Sequence, residues 1–170
     1  MKKIIAFLCV SLFAAVTFAQ GKFTVPTPTD LQKYQTAAWQ WNGAYITLIS
    51  YAKSLGKSVE DVGSSIGDII KVTWNKENGF DGFVNGMLYV YVTFAPNGTV
   101  EITEKTENKI QFIVKNFYLP LKQSLEVFNV TYEEYLKFFD FTISKLAEYM
   151  GSTYTQKDTD GNLIVTIEKK

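Results

Sequence analysis

The apolar residues of the chain follow their longest regular period between residues 29 and 55, and this period predicts a helix. Steps of three and four residues alternate, which places the apolar positions on one helical face. The members of that face are Leu31, Tyr34, Ala38, Trp41, Tyr45, Leu48, Ala52 and Leu55, widened by Trp39, Ile46 and Ile49. No carboxylate, imidazole or thiol interrupts this face, so we interpret it as a packing surface. Thr29 or Asp30 is the expected N-cap, and Gly56 is the expected C-terminal stop.

A second helix should follow after a short linker. Ser58 and Asp61 resemble a capping box, and apolar residues keep a helical spacing over residues 59–73. The short linker predicts that the first two helices form an antiparallel pair. Gly63 and Gly67 place a small-residue patch on the second helix. We interpret this patch either as a point of close helix packing or as a backbone surface against which a ligand lies.

The segment from residue 83 to residue 94 fits two structures. Phe83, Met87 and Tyr91 have a helical spacing, whereas residues 88–94 are rich in the β-branched and aromatic side chains that favour strands. We expect a helix for the first part of this segment. Periodicity leaves its second part open between helix and strand.

The second half of the chain carries the pattern of β-hairpins. Two hairpins are predicted, 99–105 with 109–115 and 153–157 with 163–168. In the second of these four strands Ile110, Phe112 and Val114 alternate with polar or exposed positions, which indicates one buried face and one wet face. Asp160-Gly161 is a favoured pair for the turn of the last hairpin.

Between the two hairpins the sequence predicts a long helix over residues 131–150. Thr131 and Glu134 form a capping box at its start. Its expected buried face consists of Tyr135, Leu136, Phe139, Ile143, Leu146 and Met150. Phe138 and Phe141 lie outside this face, and either a second covered face or the lining of a pocket would explain them.

These elements together predict an α+β fold. N-terminal antiparallel helices are followed by a four-stranded antiparallel sheet, made of two hairpins with a helix between them that packs across the sheet. Residues 29–170 are expected to form a single domain, which is an ordinary size for one hydrophobic core.

The first 19 residues have the pattern of a signal peptide. Lys2 and Lys3 precede an apolar stretch, and Ala19 supplies the small residue that cleavage before Gln20 requires. The apolar stretch is shorter than the roughly 20 residues of a membrane span, so we expect no retained span and an exported protein, either periplasmic or extracellular. Residues 20–28 then form an extended leader that contains two prolines.

Removal of this segment leaves a restricted set of side chains. The single cysteine, Cys9, is lost, and the chain contains neither histidine nor arginine. Disulfides, the usual zinc, iron and haem sites, and histidine-dependent nucleophiles are therefore excluded, and we expect no cofactor and no metal. Without Lys2 and Lys3 the acidic residues slightly outnumber the lysines, and no basic block exists, so nucleic acid is not an expected partner.

Asp140 is the one carboxylate with a candidate chemical role. It lies among Phe138, Phe139 and Phe141, and burial there would raise its pKa and make it a candidate base. The simpler interpretation, which we favour, is an exposed helix residue paired with nearby Lys137.

The order of elements in the second half resembles a known family. The hairpin VEITEKTENKIQFIVKN, the helix YEEYLKFFDFTISKLAEYMG and a closing hairpin with Gly161 at its bend are similar to the carboxy-terminal module of the 2-aminothiazoline-4-carboxylate hydrolase family. That module is similar in turn to 4-vinyl-reductase-like small-ligand-binding domains. The preceding stretch YAKSLGKSVEDVGSSIGDIIKVTWN resembles the helical part in front of such modules.

The chain departs from this family at the cysteines. In the family, cysteines commonly occur at positions that correspond to the neighbourhoods of Asn116, Phe139 and Leu163, and none of these is Cys here. The resemblance therefore implies the fold and a small-ligand site, without the thiol-dependent chemistry, as in a degenerate member.

Three functional hypotheses follow from the sequence. The first is a non-catalytic domain that binds a small apolar or aromatic ligand between the helices and the sheet. Its candidate ligand-binding residues are Gly63, Gly67, Trp41, Tyr45, Phe138 and Phe141. The second is a hydrolase of the resembled type that uses carboxylate and tyrosine groups, with Asp140 as the base. The third is an envelope module that binds a protein partner through exposed aromatic residues.

Overall fold

The computed structural model describes residues 26–95, 98–118 and 121–170. The predicted signal peptide and most of the predicted leader lie outside these residues. Five α-helices and four strands form within the described ranges: α1 (Asp30–Ser54), α2 (Val59–Ile70), α3 (Gly79–Phe94), β1 (Thr99–Lys105), β2 (Lys109–Lys115), α4 (Lys122–Val127), α5 (Tyr132–Tyr149), β3 (Ser152–Thr159) and β4 (Asn162–Lys169). Two single 3-10 turns, Lys71–Thr73 and Lys76–Asn78, connect α2 to α3.

The two predicted hairpins share one antiparallel sheet. Its strand order is β1-β2-β4-β3, so the inner strands β2 and β4 pair with each other. Phe112 lies opposite Val165, and Val114 lies opposite Leu163, all on the buried face. Because β2 and β4 alternate buried and partly exposed residues, only one face of the sheet is covered. The α+β class and the four-stranded sheet are therefore confirmed.

The tightest turn of the sheet joins β3 to β4. Asp160 and Gly161 both have positive φ angles, 52° and 79°. Two such residues in succession match the twist of a two-residue hairpin turn, as the Asp-Gly pair predicts.

Helices α3 and α5 cover the buried face of the sheet. The segment left open between helix and strand is helical to Phe94, and Phe83, Met87 and Tyr91 are buried in the main core with the inward residues of β2 and β4. Their spacing of four residues places them on one face of the helix. Burial of that face over the sheet outweighs the β-propensity of residues 88–94.

Helix α1 buries a different part of its apolar face from the one predicted. The capping box at its start uses Thr29, and the helix ends before Gly56. Its buried residues are Ala38, Asn42, Ile46, Ile49 and Ala52. Leu31, Trp41 and Leu55, which the sequence placed on the packing face, are exposed. The centre of the predicted face is displaced by about one residue around the helix axis. The prediction was wrong because the width of an aromatic face does not reveal which part of it a neighbouring element covers.

Helix α5 is covered on two sides. The predicted capping box of Thr131 and Glu134 is confirmed, with both hydrogen bonds present. Toward the sheet, Ile143 and Leu146 are buried as predicted. Phe138 lies outside the predicted face, yet it is fully buried in a second core with residues of α1, α2 and α4. A second covered face therefore explains Phe138.

Helix α2 packs mainly along α5 and much less against α1, in contrast to the expected pair of N-terminal helices. A Cβ atom at Gly63 would lie 2.5 Å from the carbonyl oxygen of Phe138, and one at Gly67 would lie 2.6 Å from the carbonyl oxygen of Thr142. The Thr142 hydroxyl donates a hydrogen bond to the Gly63 carbonyl at 3.0 Å. The two helices therefore contact each other through their backbones.

No helix of the described residues combines the length and the apolar character that crossing a membrane requires.

The glycine contact predicts opposite effects for two Gly→Ala substitutions in helices. Gly63→Ala should lower the free energy of unfolding by about 1–3 kcal/mol, because the added methyl group forces α2 away from α5. Gly43→Ala is the matched control, since a Cβ atom at Gly43 meets nothing within 4 Å. It should raise stability by about 0.5–1 kcal/mol through helix propensity alone. Urea titration of both variants measures the difference, and equal effects would contradict the close packing.

Candidate ligand-binding cleft

A small cleft lies where α1, α3 and α5 meet at the edge of β3. It encloses about 40 Å³, and we call it the Trp41 cleft. Its lining residues are Trp41, Asn42, Val90, Tyr91, Phe94, Phe117, Tyr135, Leu136, Phe139, Ile143 and Gln156. The lining is mostly apolar and aromatic with a few polar side chains, which is the composition typical of small-molecule sites.

Aromatic side chains pack against one another at the mouth of the cleft. The Trp41 ring stacks on Phe94, with ring centroids 4.6 Å apart and an angle of 15° between the planes. Tyr45 meets the edge of Trp41 at 5.1 Å. Trp41 is 43% exposed. Its side chain therefore forms a partly exposed outer wall of the cleft that is held by ring packing.

A buried polar contact joins the three helices beside this mouth. The Tyr135 hydroxyl donates to Oδ1 of Asn42 at 2.6 Å. Nδ2 of Asn42 donates to the carbonyl oxygens of Ala38, at 2.8 Å, and Phe94, at 3.1 Å. Since Phe94 is the last residue of α3, this bond also satisfies a carbonyl that the helix leaves free.

A second chain of hydrogen bonds crosses from α3 to α5 through β3. The Tyr154 hydroxyl donates to Oε1 of Gln156 at 2.7 Å, and Nε2 of Gln156 donates to the Leu136 carbonyl at 2.6 Å. The hydroxyl groups of Tyr91 and Tyr154 are 2.5 Å apart. Tyr154 has one hydroxyl hydrogen, which Gln156 receives, so Tyr91 donates to Tyr154.

The tyrosines of these two chains stay protonated near neutral pH. Burial raises the pKa of Tyr91, Tyr135 and Tyr154 well above the ordinary value, because the phenolate form loses its hydration. They therefore act as hydrogen-bonding groups and do not supply a base to the cleft.

Asp140 does not line the cleft. Desolvation raises the pKa of this carboxyl group, which is partly buried on α5. Lys137, its expected partner, instead lies 3.2 Å from Glu133 and 3.8 Å from Glu60. The predicted pairing with Lys137 was therefore wrong, since Lys137 extends along the α5 surface toward α2.

The structure distributes the predicted ligand-binding residues over three environments. Trp41 lines the cleft, and Tyr45 packs behind it against Phe139 at a centroid distance of 5.1 Å. Phe138 is buried in the second core, and Phe141 is exposed beside α2. The backbone of α5 occupies the surface of Gly63 and Gly67, so close helix packing explains the small-residue patch.

Sequence reasoning missed the polar residues of the cleft. Asn42 is the clearest case, because it lies in phase with Ala38, Ile46 and Ile49 on the buried face of α1. An amide that shares the period of apolar residues indicates a buried hydrogen-bonding role. Gln156 carries no comparable signal, because polar residues alternate normally along an edge strand.

Two other hollows are less suited to hold a small molecule. The largest, about 550 Å³, borders residues 26–28 and Trp39, and most of its lining is exposed at the beginning of α1. The other, about 190 Å³, lies over Ile113 and Ile164 on the uncovered face of the sheet. Neither is formed by the cores.

Within residues 26–95, 98–118 and 121–170, no three acidic side chains converge as ligands for a metal ion. No protein-family model, no curated protein and no solved structure matches this chain.

The buried tyrosines predict a fall in stability at alkaline pH. The folded state holds the proton on Tyr91, Tyr135 and Tyr154, whereas the unfolded chain releases it near pH 10. The free energy of unfolding should therefore be independent of these groups below about pH 10 and should decrease as the pH rises further.

Phenolate absorbance and circular dichroism, recorded together during an alkaline titration, measure this effect. The chain contains ten tyrosines. Part of the phenolate signal should appear only as the helical signal is lost. Complete phenolate formation with an unchanged dichroism spectrum would contradict the burial of these side chains.

Proposed function

We propose that the protein is an exported, non-catalytic domain that binds a small apolar or aromatic molecule in the Trp41 cleft. The observation that carries this proposal is an apolar, aromatic cleft between helices and sheet whose outer wall, Trp41, is held by ring packing. The export part rests on the signal-peptide pattern of residues 1–19. The resemblance to small-ligand-binding domains agrees with the proposal, and we include it in the proposal.

The size of the closed cleft implies that a ligand displaces Trp41. A volume of about 40 Å³ admits a few water molecules, whereas a cavity that binds benzene measures about 150 Å³. Separation of the Trp41 and Phe94 rings costs about 0.5–1.5 kcal/mol. Burial of an aromatic ring of 150–250 Å² contributes roughly 4–6 kcal/mol. This gross gain exceeds the cost of separating the rings, and the surplus offsets part of the translational and rotational freedom that the ligand loses, so we expect weak binding of a single aromatic ring.

The chemistry of the lining favours a binder over a hydrolase. Among the residues that the structure describes, no carboxylate lines the cleft, and Asp140 lies outside the lining. The tyrosines of the cleft stay protonated. A general base has to reach the proton that it removes, by direct contact or through one water. The hydrolase alternative would therefore require Asp140 to rotate into the cleft.

A partner-binding module is the second candidate function, and one observation favours it. The first half of α1 and the second half of α3 lie side by side, since the Tyr34 hydroxyl donates to the Val92 carbonyl at 2.9 Å. Leu31 of α1 and Tyr89 and Val92 of α3 are exposed. Neighbouring exposed apolar side chains are typical of contact surfaces.

Titration of the isotope-labelled protein with toluene, followed by NMR, tests the proposal. The amide shifts should saturate, and the largest should belong to Trp41, Asn42, Phe94 and Tyr135. Trp41→Ala should weaken toluene binding by about fivefold. The ligand face that Trp41 would cover stays exposed, at a cost of about 2 kcal/mol, and this exceeds the roughly 1 kcal/mol saved because no Trp41–Phe94 contact has to be broken.

Trp39→Ala is the matched control, since Trp39 has a similar exposure, 37%, and lies outside the Trp41 cleft. It should leave toluene binding unchanged. Shifts confined to Leu31, Tyr89 and Val92 would favour the partner-binding module. The absence of any saturable shift would contradict a ligand site.

A further inference from the structure

The hydrogen bonds of the cleft leave mainly acceptors unused. Asn42 donates both of its amide hydrogens, to Ala38 and to Phe94, and its Oδ1 accepts one hydrogen from Tyr135. A carboxamide oxygen has two lone pairs. Asn42 therefore retains capacity only as an acceptor.

The two tyrosines of the lining also retain hydrogen-bond acceptors and no donors. Tyr135 donates its hydroxyl hydrogen to Asn42, and Tyr91 donates its own to Tyr154. Each phenolic oxygen has one hydrogen to donate and two lone pairs. Both hydroxyl groups retain only acceptor capacity.

Gln156 supplies one remaining donor, and the indole N–H of Trp41 supplies another. Gln156 uses one amide hydrogen for the Leu136 carbonyl, and its oxygen accepts from Tyr154. One N–H and one lone pair are left. Across the five side chains of the lining that carry polar atoms, spare acceptor positions therefore outnumber donors.

The charge around the cleft disfavours an anion. Within the described part of the chain, no lysine lines the cleft. The negative charge of Asp140 reaches Tyr91 and Tyr154, where it adds to the effect of burial on their pKa. A carboxylate ligand would lose its hydration without gaining a cationic partner, which is costly in an apolar site.

On these grounds, and resting on the proposed function, we infer that the cleft selects a neutral, flat aromatic ligand that carries a hydrogen-bond donor N–H, of the indole class. The rings of Trp41, Phe94 and Phe139 contact its faces, and the spare acceptors of the lining receive its N–H. A ligand without a donor leaves the spare lone pairs of these groups without a partner after water has been displaced.

Calorimetric titration of the wild-type protein with four probes tests this inference. Indole should bind, N-methylindole should bind about tenfold more weakly because it lacks the donor, and indole-3-carboxylate should show no measurable binding. Toluene reports the apolar site alone. All four probes use the same folded protein, so a folding defect cannot produce the differences.

The outcomes separate the two proposals. Equal affinity for indole and N-methylindole, with toluene also bound, would overturn the donor inference and leave the ligand site intact. Tighter binding of indole-3-carboxylate than of indole would overturn it as well. If none of the four probes binds, the proposed function itself fails.

Discussion

The architecture depends on the backbone contact between α2 and α5. Gly63 and Gly67 allow the two helices to approach so closely that no side chain separates them. The hydroxyl of Thr142 lies in this contact and bonds both to Gly63, at 3.0 Å, and to the Phe138 carbonyl, at 2.8 Å. Each glycine lowers the stability of the helix by about 1 kcal/mol relative to alanine, so the packing that the two glycines permit has to offset that loss. Helix α5 therefore contacts α2 on one side and the sheet on its other side.

The position of α5 determines the position of the cleft. Four of the lining residues belong to this helix, Tyr135, Leu136, Phe139 and Ile143. Through the hydroxyl of Tyr135, α5 fixes Asn42 of α1, and Asn42 in turn holds the end of α3 at Phe94. A shift of α5 away from α1 would therefore break the Tyr135–Asn42 hydrogen bond and leave buried polar groups unpaired, which costs about 1–3 kcal/mol for each group. Hydrogen bonds therefore hold the inner side of the cleft, whereas ring packing holds Trp41 on its outer side.

Local sequence patterns were sufficient to predict the helices and strands, and they were insufficient to predict which of these elements contact each other. The alternation of Ile110, Phe112 and Val114, and the capping box of Thr131 and Glu134, predicted the structure because the forces that act there are local. The predicted buried face of α1 was displaced by about one residue around the helix axis. Aromatic residues lie on both sides of Asn42, so the pattern did not show which side is covered. Gly63 and Gly67 indicated a close approach without revealing whether a helix or a ligand makes it. The cleft combines residues from α1 to β3, so no single segment carries its pattern.

Native-state hydrogen exchange tests the central role of the α2–α5 contact most directly. If the two helices are held through their backbones, their facing amides, around Gly67 in α2 and Thr142 in α5, should open together. The free energies of opening should be equal and close to that of global unfolding, while amides at the exposed beginning of α1 exchange much faster. Exchange of the α2 amides through a separate, low-energy opening, with α5 still protected, would contradict this account.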